Sequence, residues 1–335
     1  MSATSPYEGS YLNYQDQCLS DSLFADSVAK IALAWSGKSR VRLAFAGTDR
    51  LLPIAYSFAE FGYEIVGFFD GENRTGLHAH QPLEALEPGA IDVMFVSPER
   101  NLQRAIVRRC EGAPVLVVPL TEIVDAHRRT LQSVNRTYFA TCLDPRKLSI
   151  VAIVNALAPV GNFVECGVYL GGGSIYVARH SDEVGKSRKV FALDTFEGMP
   201  PPVEKDGDTP FQAGLFSDNH FDRVKQNYAI HNVLDRIEMH KGLVQDTLPG
   251  LGLKGDVALA LLDTDQYAGT RAGLSQILPN LSADGVVIVD DADGAGVSAA
   301  IDEALAATPG FRRLKIIPGF DLVVSTTATA LRLAA

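Results

Sequence analysis

The sequence has few cysteines and no long apolar runs. Its four cysteines are far apart and none forms a C-x-x-C pair, which argues against a disulfide framework and for a reducing, cytoplasmic setting. No apolar stretch reaches the ~18 residues that a membrane-spanning helix needs. The polar beginning of the chain lacks the charged start and apolar run of a signal peptide. We therefore expect a cytoplasmic protein with no membrane partner.

Basic clusters are also missing. The formal net charge is −10, whereas a nucleic-acid backbone has to be met by a basic face. The nearest approach is Arg104, Arg108 and Arg109, which fit the solvated side of one helix. The sequence therefore argues against a nucleic-acid partner.

The length and the hydrophobic pattern predict two α/β domains. A chain of 335 residues exceeds the size at which a single core usually stops growing. Short apolar strands alternate with helices in both halves, which implies parallel sheets covered on both faces. The predicted strands lie at 41–47, 64–70, 91–98 and 113–120, then at 162–168, 189–196, 237–242, 257–265 and 285–291, followed by a closing hairpin-like pair. Helices are predicted at 50–62, 101–110 and 147–161.

These elements divide the chain into four parts. We expect an N-terminal arm and helix at 1–36, a small open Rossmann-like α/β domain at 37–124, a linker at 125–146 and a larger, doubly wound Rossmann-like domain at 147–335. Within the larger domain, residues 198–222 are too long and too rich in Pro, Gly and Asp for a simple connector. Segments of this kind are either lids over a site or surface insertions, and the sequence leaves both open.

In an open parallel sheet, ligands bind beyond the carboxyl ends of the strands. The strand at 162–168 leads into a glycine-rich turn from Glu165 to Ser174, where the following helix offers free N–H groups to a carboxylate or phosphate. A tight turn without a ligand is the alternative, since the spaced glycines of a dinucleotide fingerprint are absent. The next strand ends at Asp194, which either accepts the hydroxyls of a ribose or caps its own turn.

Two weaker candidates follow the third strand of this domain. Gln245 and Asp246 are placed to reach an adenine edge through hydrogen bonds. The alternative for Asp246 is the cap of a short helix beginning at Thr247.

Acidic residues at two strand ends are the strongest local feature. Asp263 and Asp265 follow one apolar strand, and Asp290 and Asp291 end the next. Carboxylates that converge at one sheet edge repel each other, and a bound divalent cation would compensate that repulsion. Oxygen ligands without Cys or His favour Mg²⁺ over Zn²⁺. The alternative is that the acids diverge and cap separate helices.

Five segments in this order and spacing resemble the macrocin O-methyltransferase family: FVECGVYLGGGS, ALDTFEGMP, GLVQDTLP, LLDTDQY and LSADGVVIVDDAD. The resemblance covers about residues 145–325. It implies S-adenosylmethionine and Mg²⁺ as cofactors and a sugar hydroxyl of a glycosylated natural product as the methyl acceptor. The implied cofactor-binding residues are Glu165, Gly167, Tyr169, Gly171, Ser174, Asp194, Thr195, Phe196, Gln245, Asp246 and Asp263.

The resemblance also implies the metal site and the groups that act in the reaction. Asp263, Asp290 and Asp291 correspond to the metal-binding carboxylates, and Asp265 to a general base or substrate-orienting acid. His220, inside the 198–222 segment, is a second base candidate because imidazole titrates near neutral pH; its alternative is an exposed loop histidine. The apolar N-terminal segments lead us to expect a homo-oligomer.

The substrate-facing residues depart from the family pattern. Tyr169 and Leu170 stand where Trp-Arg is common, and Ala292 replaces a tyrosine. These departures keep open a non-catalytic or regulatory protein with a relic methyltransferase domain. A nicotinamide-dependent activity in the first domain is a further alternative, supported by only Gly47 and Asp70.

Overall fold

The computed structural model describes residues 21–47, 63–69, 80–97, 99–113, 115–135 and 138–327. They form two compact units. One contains the described residues up to 132 together with Leu143–Ile153, and the other contains Ser133–Cys142 together with the described residues from 154 onward. The expected arm at 1–20, the expected helix at 50–62 and Asp70 lie outside the described residues.

The first unit contains a parallel sheet in the strand order β3-β2-β1-β4-β5. Four of these strands were predicted from the sequence, and the two-residue β3 was not. The strands are β1 (Arg42–Ala46), β2 (Glu64–Phe69), β3 (His80–Gln81), β4 (Val93–Val96) and β5 (Leu116–Val118). The helices of this part of the chain are α1 (Asp21–Ser36), α2 (Arg100–Arg109) and α3 (Leu120–Ser133).

Helix α3 occupies the first part of the expected linker at 125–146. The helix continues to Ser133 and buries Ala126, His127, Thr130 and Leu131. The buried Thr130 hydroxyl donates to the carbonyl of Ala126 at 2.9 Å, so a polar side chain is satisfied within the helix. Because two of the buried residues are polar in type, the apolar face was not visible in the sequence.

The second unit contains a seven-stranded sheet in the order β11-β12-β10-β9-β6-β7-β8. Neighbouring strands among β6 to β10 pair in parallel, and β12 pairs antiparallel with β10 and β11. The antiparallel pair of β11 and β12 is the expected closing hairpin. The strands are β6 (Asn162–Cys166), β7 (Val190–Asp194), β8 (Ile237–Lys241), β9 (Val257–Leu262), β10 (Leu281–Asp290), β11 (Phe311–Ile317) and β12 (Phe320–Ser325). The strand order reverses between β6 and β9, where doubly wound sheets bind ligands.

Helices connect these strands, and the central strands are buried between them. All six residues of β9 are buried, which explains the unbroken apolar run VALALL in the sequence. Among the described residues, no helix combines the length and apolar character needed to cross a membrane. Helix α4 (Pro145–Leu157) precedes β6, and its residues up to Ile153 belong to the first unit. The helices that follow are α5 (Gly172–Glu183), α6 (Phe221–Ile230), α7 (Val244–Thr247), α8 (Tyr267–Ile277) and α9 (Ala295–Ala307).

Candidate active site

Four loops at the carboxyl edge of the second sheet share an unusual backbone feature. Each contains a non-glycine residue in the left-handed region: Tyr169 after β6, Phe196 after β7, Asp265 after β9 and Asp291 after β10, with φ of 48°, 53°, 59° and 48°. Such conformations cost energy and cluster at functional sites. The strain therefore marks this edge as the candidate site, independently of the residue types.

The glycine-rich turn joins β6 to α5, and its buried anchor is Glu165. This carboxyl group is 2 % exposed and accepts a hydrogen bond from the buried Ser174 hydroxyl. Burial raises the pKa of Glu165 to about 8, and the nearby charge of Asp194 acts in the same direction, while the Ser174 hydrogen bond opposes it. Gly171 is the N-cap of α5. Glu165 and Ser174 therefore support the turn from beneath.

Asp194, at the end of β7, is held by donors from three segments. One carboxylate oxygen accepts the backbone N–H groups of Val168 and Tyr169 at 2.7 and 3.1 Å. The other accepts the N–H of Phe196 at 2.8 Å, which confirms the alternative that Asp194 caps its own turn. Asp194 thus fixes the glycine-rich turn and the 194–196 turn relative to each other.

Asn219 completes this cluster of hydrogen-bonded residues. Its side-chain N–H₂ donates to Asp194 Oδ1 at 2.8 Å. Its own Oδ1 is buried and has no hydrogen-bond partner in the described part of the chain. Because buried polar atoms are normally satisfied, this oxygen is an acceptor available to a ligand donor. No periodicity or strand-end position in the sequence pointed to Asn219.

The other predicted cofactor residues occupy the same edge. The Tyr169 ring lies 5.2 Å from that of Phe216, and the Thr195 hydroxyl donates to the carbonyl of Gly198 at 2.6 Å. Gln245 and Asp246 are exposed in the short helix α7. This helix begins at Val244 with Leu243 as its N-cap, so the expectation that Asp246 caps a helix starting at Thr247 is wrong.

Three of the four predicted acids converge. Asp263, Asp265 and Asp291 each place one carboxylate oxygen within 4.8 Å of the others, in a group that could hold a metal ion. We call these three residues the acidic cluster. Burial, the charge of Asp263 and the interaction with Asp291 hold the pKa of the Asp265 carboxyl far above its ordinary value. The group therefore has the unfavourable electrostatics that a divalent cation would relieve.

Asp290 is not part of the acidic cluster, which differs from the expected set of Asp263, Asp290 and Asp291. It is the last residue of β10, is 3 % exposed and accepts the N–H of Asp291 at 2.8 Å. Asp291 follows the strand in a left-handed conformation, so its carboxylate does not simply continue the arrangement of the strand. Of these two neighbouring acids, only Asp291 belongs to the group of converging carboxylates.

The 198–222 segment is tied to the sheet edge. The side-chain N–H₂ of the buried Gln266, next to Asp265, donates to the carbonyls of Pro200 and Phe211 at 3.0 and 3.1 Å. Within the segment, Met199 and Leu215 are joined by a backbone hydrogen bond of 2.8 Å. His220 is exposed at the N-cap of α6, in agreement with the alternative of an exposed loop histidine.

Residues 138–142 also lie beside the glycine-rich turn, a contact that no pattern in the sequence indicated. A Cβ atom on Gly172 would fall 2.0 Å from the carbonyl oxygen of Ala140, so α5 begins in direct contact with this segment. The nearby backbone N–H of Asn135 donates to His231 Nε2 at 3.1 Å. Part of the expected linker therefore borders the site.

Comparisons with known proteins match the part of the chain that contains this site. Residues 146–317, just over half of the chain, match the model of a family described as Macrocin-O-methyltransferase (TylF). A relative from Streptomyces olivaceus, described as 8-demethyl-8-(2,3-dimethoxy-alpha-L-rhamnosyl)-tetracenomycin-C 4'-O-methyltransferase, is 33% identical over 141 residues, which cover 39% of this chain and 52% of the relative. Demethyldecarbamoylnovobiocin O-methyltransferase from Streptomyces niveus is 30% identical over 140 residues, with the same two shares of 39% and 52%.

The chain spans about half the length of these two curated relatives. A solved structure described as the O-methyltransferase NovP is 26% identical, with a TM-score of 0.42, and the match covers 50% of this chain and 73% of that one.

Proposed function

The chain belongs to the macrocin O-methyltransferase family, and from this premise we propose that it transfers a methyl group from S-adenosylmethionine to a hydroxyl group of a small natural product with the help of a divalent cation. The proposal rests chiefly on a contact between the glycine-rich turn and the acidic cluster, which we call the two half-sites. The glycine-rich turn after β6 lies directly against Asp263 of the acidic cluster, because a Cβ on Gly167 would fall 1.8 Å from the Asp263 carbonyl oxygen. A methyl donor on that turn and an acceptor at the cluster would be neighbours.

The residues at the turn fit S-adenosylmethionine. The unpartnered, buried Oδ1 of Asn219 beside Asp194 suits a ribose hydroxyl, which needs an acceptor. The first turn of α5 offers free N–H groups to the donor's carboxylate. The exposed side chains of Gln245 and Asp246 remain our assignment for the adenine edge. We assign Glu165 and Ser174 a supporting role, since both are buried beneath the turn.

The acidic cluster fits Mg²⁺, which prefers carboxylate oxygens. We assign Asp263 and Asp291 as ligands, because they belong both to the group that the structure brings together and to the set that the resemblance implies. A bound cation would supply Lewis acidity that lowers the pKa of the acceptor hydroxyl. Asp265 is our choice for the group that accepts the hydroxyl proton while the bond from sulfur to methyl breaks and the bond from oxygen to methyl forms. His220 has no role in this proposal.

The acceptor is proposed to be a sugar hydroxyl on a glycosylated small molecule. One curated relative is described as a methyltransferase of a rhamnosyl-tetracenomycin, and the other as a methyltransferase of demethyldecarbamoylnovobiocin. The resemblance of the sequence motifs implies a glycosylated natural product as the acceptor. The 198–222 segment, bonded to Gln266 next to Asp265, forms one wall of the proposed acceptor site.

The test compares matched glycosides and their aglycones as acceptors, with formation of S-adenosylhomocysteine and of methylated product followed by mass spectrometry. We expect methylation of a glycoside but not of its aglycone, loss of turnover in EDTA and recovery on adding Mg²⁺. Asp265→Asn should lower kcat by about 100-fold or more. Full activity in EDTA would contradict the metal assignment, and calorimetry showing no binding of S-adenosylmethionine would contradict the proposed reaction.

A further inference from the structure

Asp206 is a buried acid outside the acidic cluster, and the proposed chemistry does not use it. It ends a short 3₁₀ turn, Glu204–Asp206, inside the 198–222 segment and is 5 % exposed. One carboxylate oxygen accepts the N–H of Val203 at 2.7 Å. Its other contacts reach two helices that come much later in the chain.

The first of these helices is α8, which starts two residues after Asp265. The second carboxylate oxygen of Asp206, Oδ1, accepts the N–H of Tyr267, the first residue of α8, at 2.6 Å. The N-cap residue of α8, Gln266, makes no side-chain cap of its own. Asp206 therefore caps this helix from a distant segment, where its negative charge also suits the positive end of the helix dipole.

The second helix is α9, which begins four residues after Asp291. A Cβ atom on Gly296, in the first turn of α9, would fall 2.0 Å from Asp206 Oδ1. Because only a residue without a side chain leaves this space, the same carboxylate oxygen that caps α8 lies against the start of α9.

The two helices follow the two loops that form the acidic cluster. Asp263 and Asp265 precede α8, and Asp291 precedes α9. The carboxylates of the two loops repel each other, so a fixed separation needs support from outside the cluster. Asp206 is hydrogen-bonded to α8, which follows Asp265, and packs against α9, which follows Asp291.

We propose that Asp206 is a positioning residue that sets the separation of Asp265 and Asp291, so that the acidic cluster is arranged for a divalent cation by the 198–222 segment. The inference rests on the proposed function, because it concerns the same metal site. It assigns the segment a structural task at the metal site in addition to its place beside the acceptor. Gln266, which is hydrogen-bonded to the same segment, provides a second connection on the β9 side, and Lys205 makes exposed contacts with Tyr267 and Glu303.

The test uses Mn²⁺ alone as the probe, with binding followed by the loss of the free-ion electron paramagnetic resonance signal. In Asp206→Ala, we expect Mn²⁺ to bind about tenfold more weakly or worse, as for other residues that orient metal ligands. Asp206→Asn keeps an acceptor for the Tyr267 N–H and should recover most of the affinity. Affinity for S-adenosylmethionine, measured by calorimetry, should stay within about twofold.

Gly296→Ala disturbs the same contact while Asp206 itself stays unchanged. Alanine is the better helix former, so weaker Mn²⁺ binding in this variant has to come from the displaced contact. Glu204→Ala is the matched control, since Glu204 is an exposed acid of the same short turn as Asp206. This control should bind Mn²⁺ like the unaltered protein.

The outcomes separate this inference from the proposed function. If the unaltered protein binds Mn²⁺ and transfers methyl groups while Asp206→Ala and Gly296→Ala bind Mn²⁺ equally well, only the role of Asp206 is overturned. If the variants lose thermal stability with an unchanged Mn²⁺ affinity, the role is structural and the inference is again overturned. If the unaltered protein binds no Mn²⁺, both the metal assignment and this inference fail.

Discussion

Gly167 and Asp263 are in contact through their backbones, and this contact joins the two halves of the proposed active site. The N–H of Asp263 donates to the carbonyl of Cys166 at 2.8 Å, which draws the end of β9 against the end of β6. Gly167 has φ of +86°, and a Cβ there would fall 1.8 Å from the Asp263 carbonyl oxygen. A side chain at position 167 is therefore excluded both by the conformation and by the space.

Gly167→Ala should accordingly damage both half-sites together. We expect a loss of about 2 to 4 kcal/mol in the free energy of unfolding, from the left-handed conformation and the forced separation of two central strands. Affinities for S-adenosylmethionine and for Mn²⁺ should fall in parallel. Urea unfolding and calorimetry measure these changes.

The control for this variant is Gly250→Ala, because a Cβ on Gly250 would meet nothing within 4 Å. It should leave stability and both affinities nearly unchanged. An unaltered Mn²⁺ affinity in Gly167→Ala, beside a lost affinity for the methyl donor, would show that the two half-sites are not coupled through this contact.

The two neighbouring acids at the end of β10 give a second prediction. Asp291→Asn should weaken Mn²⁺ binding by at least about tenfold, because it removes a charged member of the acidic cluster. Asp290→Asn should have a much smaller effect, since an amide oxygen can still accept the Asp291 N–H that Asp290 now accepts. The Mn²⁺ affinities of both variants, measured from the free-ion electron paramagnetic resonance signal, show which of the two acids is a ligand. Equal losses would favour the ligand set that the resemblance implies.

Asp194 gives a third prediction, for the methyl donor. In Asp194→Ala, the N–H groups of Val168 and Tyr169 lose their acceptor, and Asn219 loses the partner that orients it. Because hydrogen bonds to a charged group contribute about 1.5 to 3 kcal/mol, we expect affinity for S-adenosylmethionine to fall at least tenfold by calorimetry. Asp208→Ala, which removes an exposed acid of the 198–222 segment, is the charge-matched control. An unchanged affinity in Asp194→Ala would remove Asp194 from the donor site.

The sequence predicted the fold of the second unit well, for a simple reason. Its central parallel strands are buried on both faces, so they are continuous apolar runs such as β9, and each ends abruptly in acids or glycines. Parallel strands share one carboxyl edge, and the position of Asp194, Asp263 and Asp291 at that edge followed directly. Helix α3 was not predicted, because its buried face contains the polar residues His127 and Thr130.

Contacts within the site were harder to predict. Which carboxylates converge depends on the left-handed turns at Asp265 and Asp291, which are not visible as a pattern in the sequence. Asn219 and Asp206 come from an irregular segment without periodicity. Their contacts with Asp194 and Tyr267 are long-range contacts made by the folded chain, and no sequence pattern indicates them.

Glu165 gives the last prediction, a dependence of stability on pH in the protein without ligands. Its pKa is raised from an ordinary value of 4.5 to about 8, chiefly by burial. Between these two values the folded state keeps the proton while the unfolded state releases it. The folded protein therefore binds more protons, and the free energy of unfolding falls as pH rises through this window, by at most about 1.4 kcal/mol per pH unit from this group. Below the window both states are protonated and the penalty is absent.

Glu165→Gln removes this titration and keeps the shape of the side chain. The free energy of unfolding of this variant, compared with that of the unaltered protein at each pH, should therefore improve steadily from pH 5 to pH 8, because other titrating groups cancel in the difference. Ser174→Ala is the informative companion, since the Ser174 hydrogen bond lowers the pKa of Glu165. Its removal should extend the fall in stability above pH 8. If the free energies of unfolding of Glu165→Gln and of the unaltered protein changed in parallel with pH, Glu165 would be ionised in the folded state, and the raised pKa would be wrong.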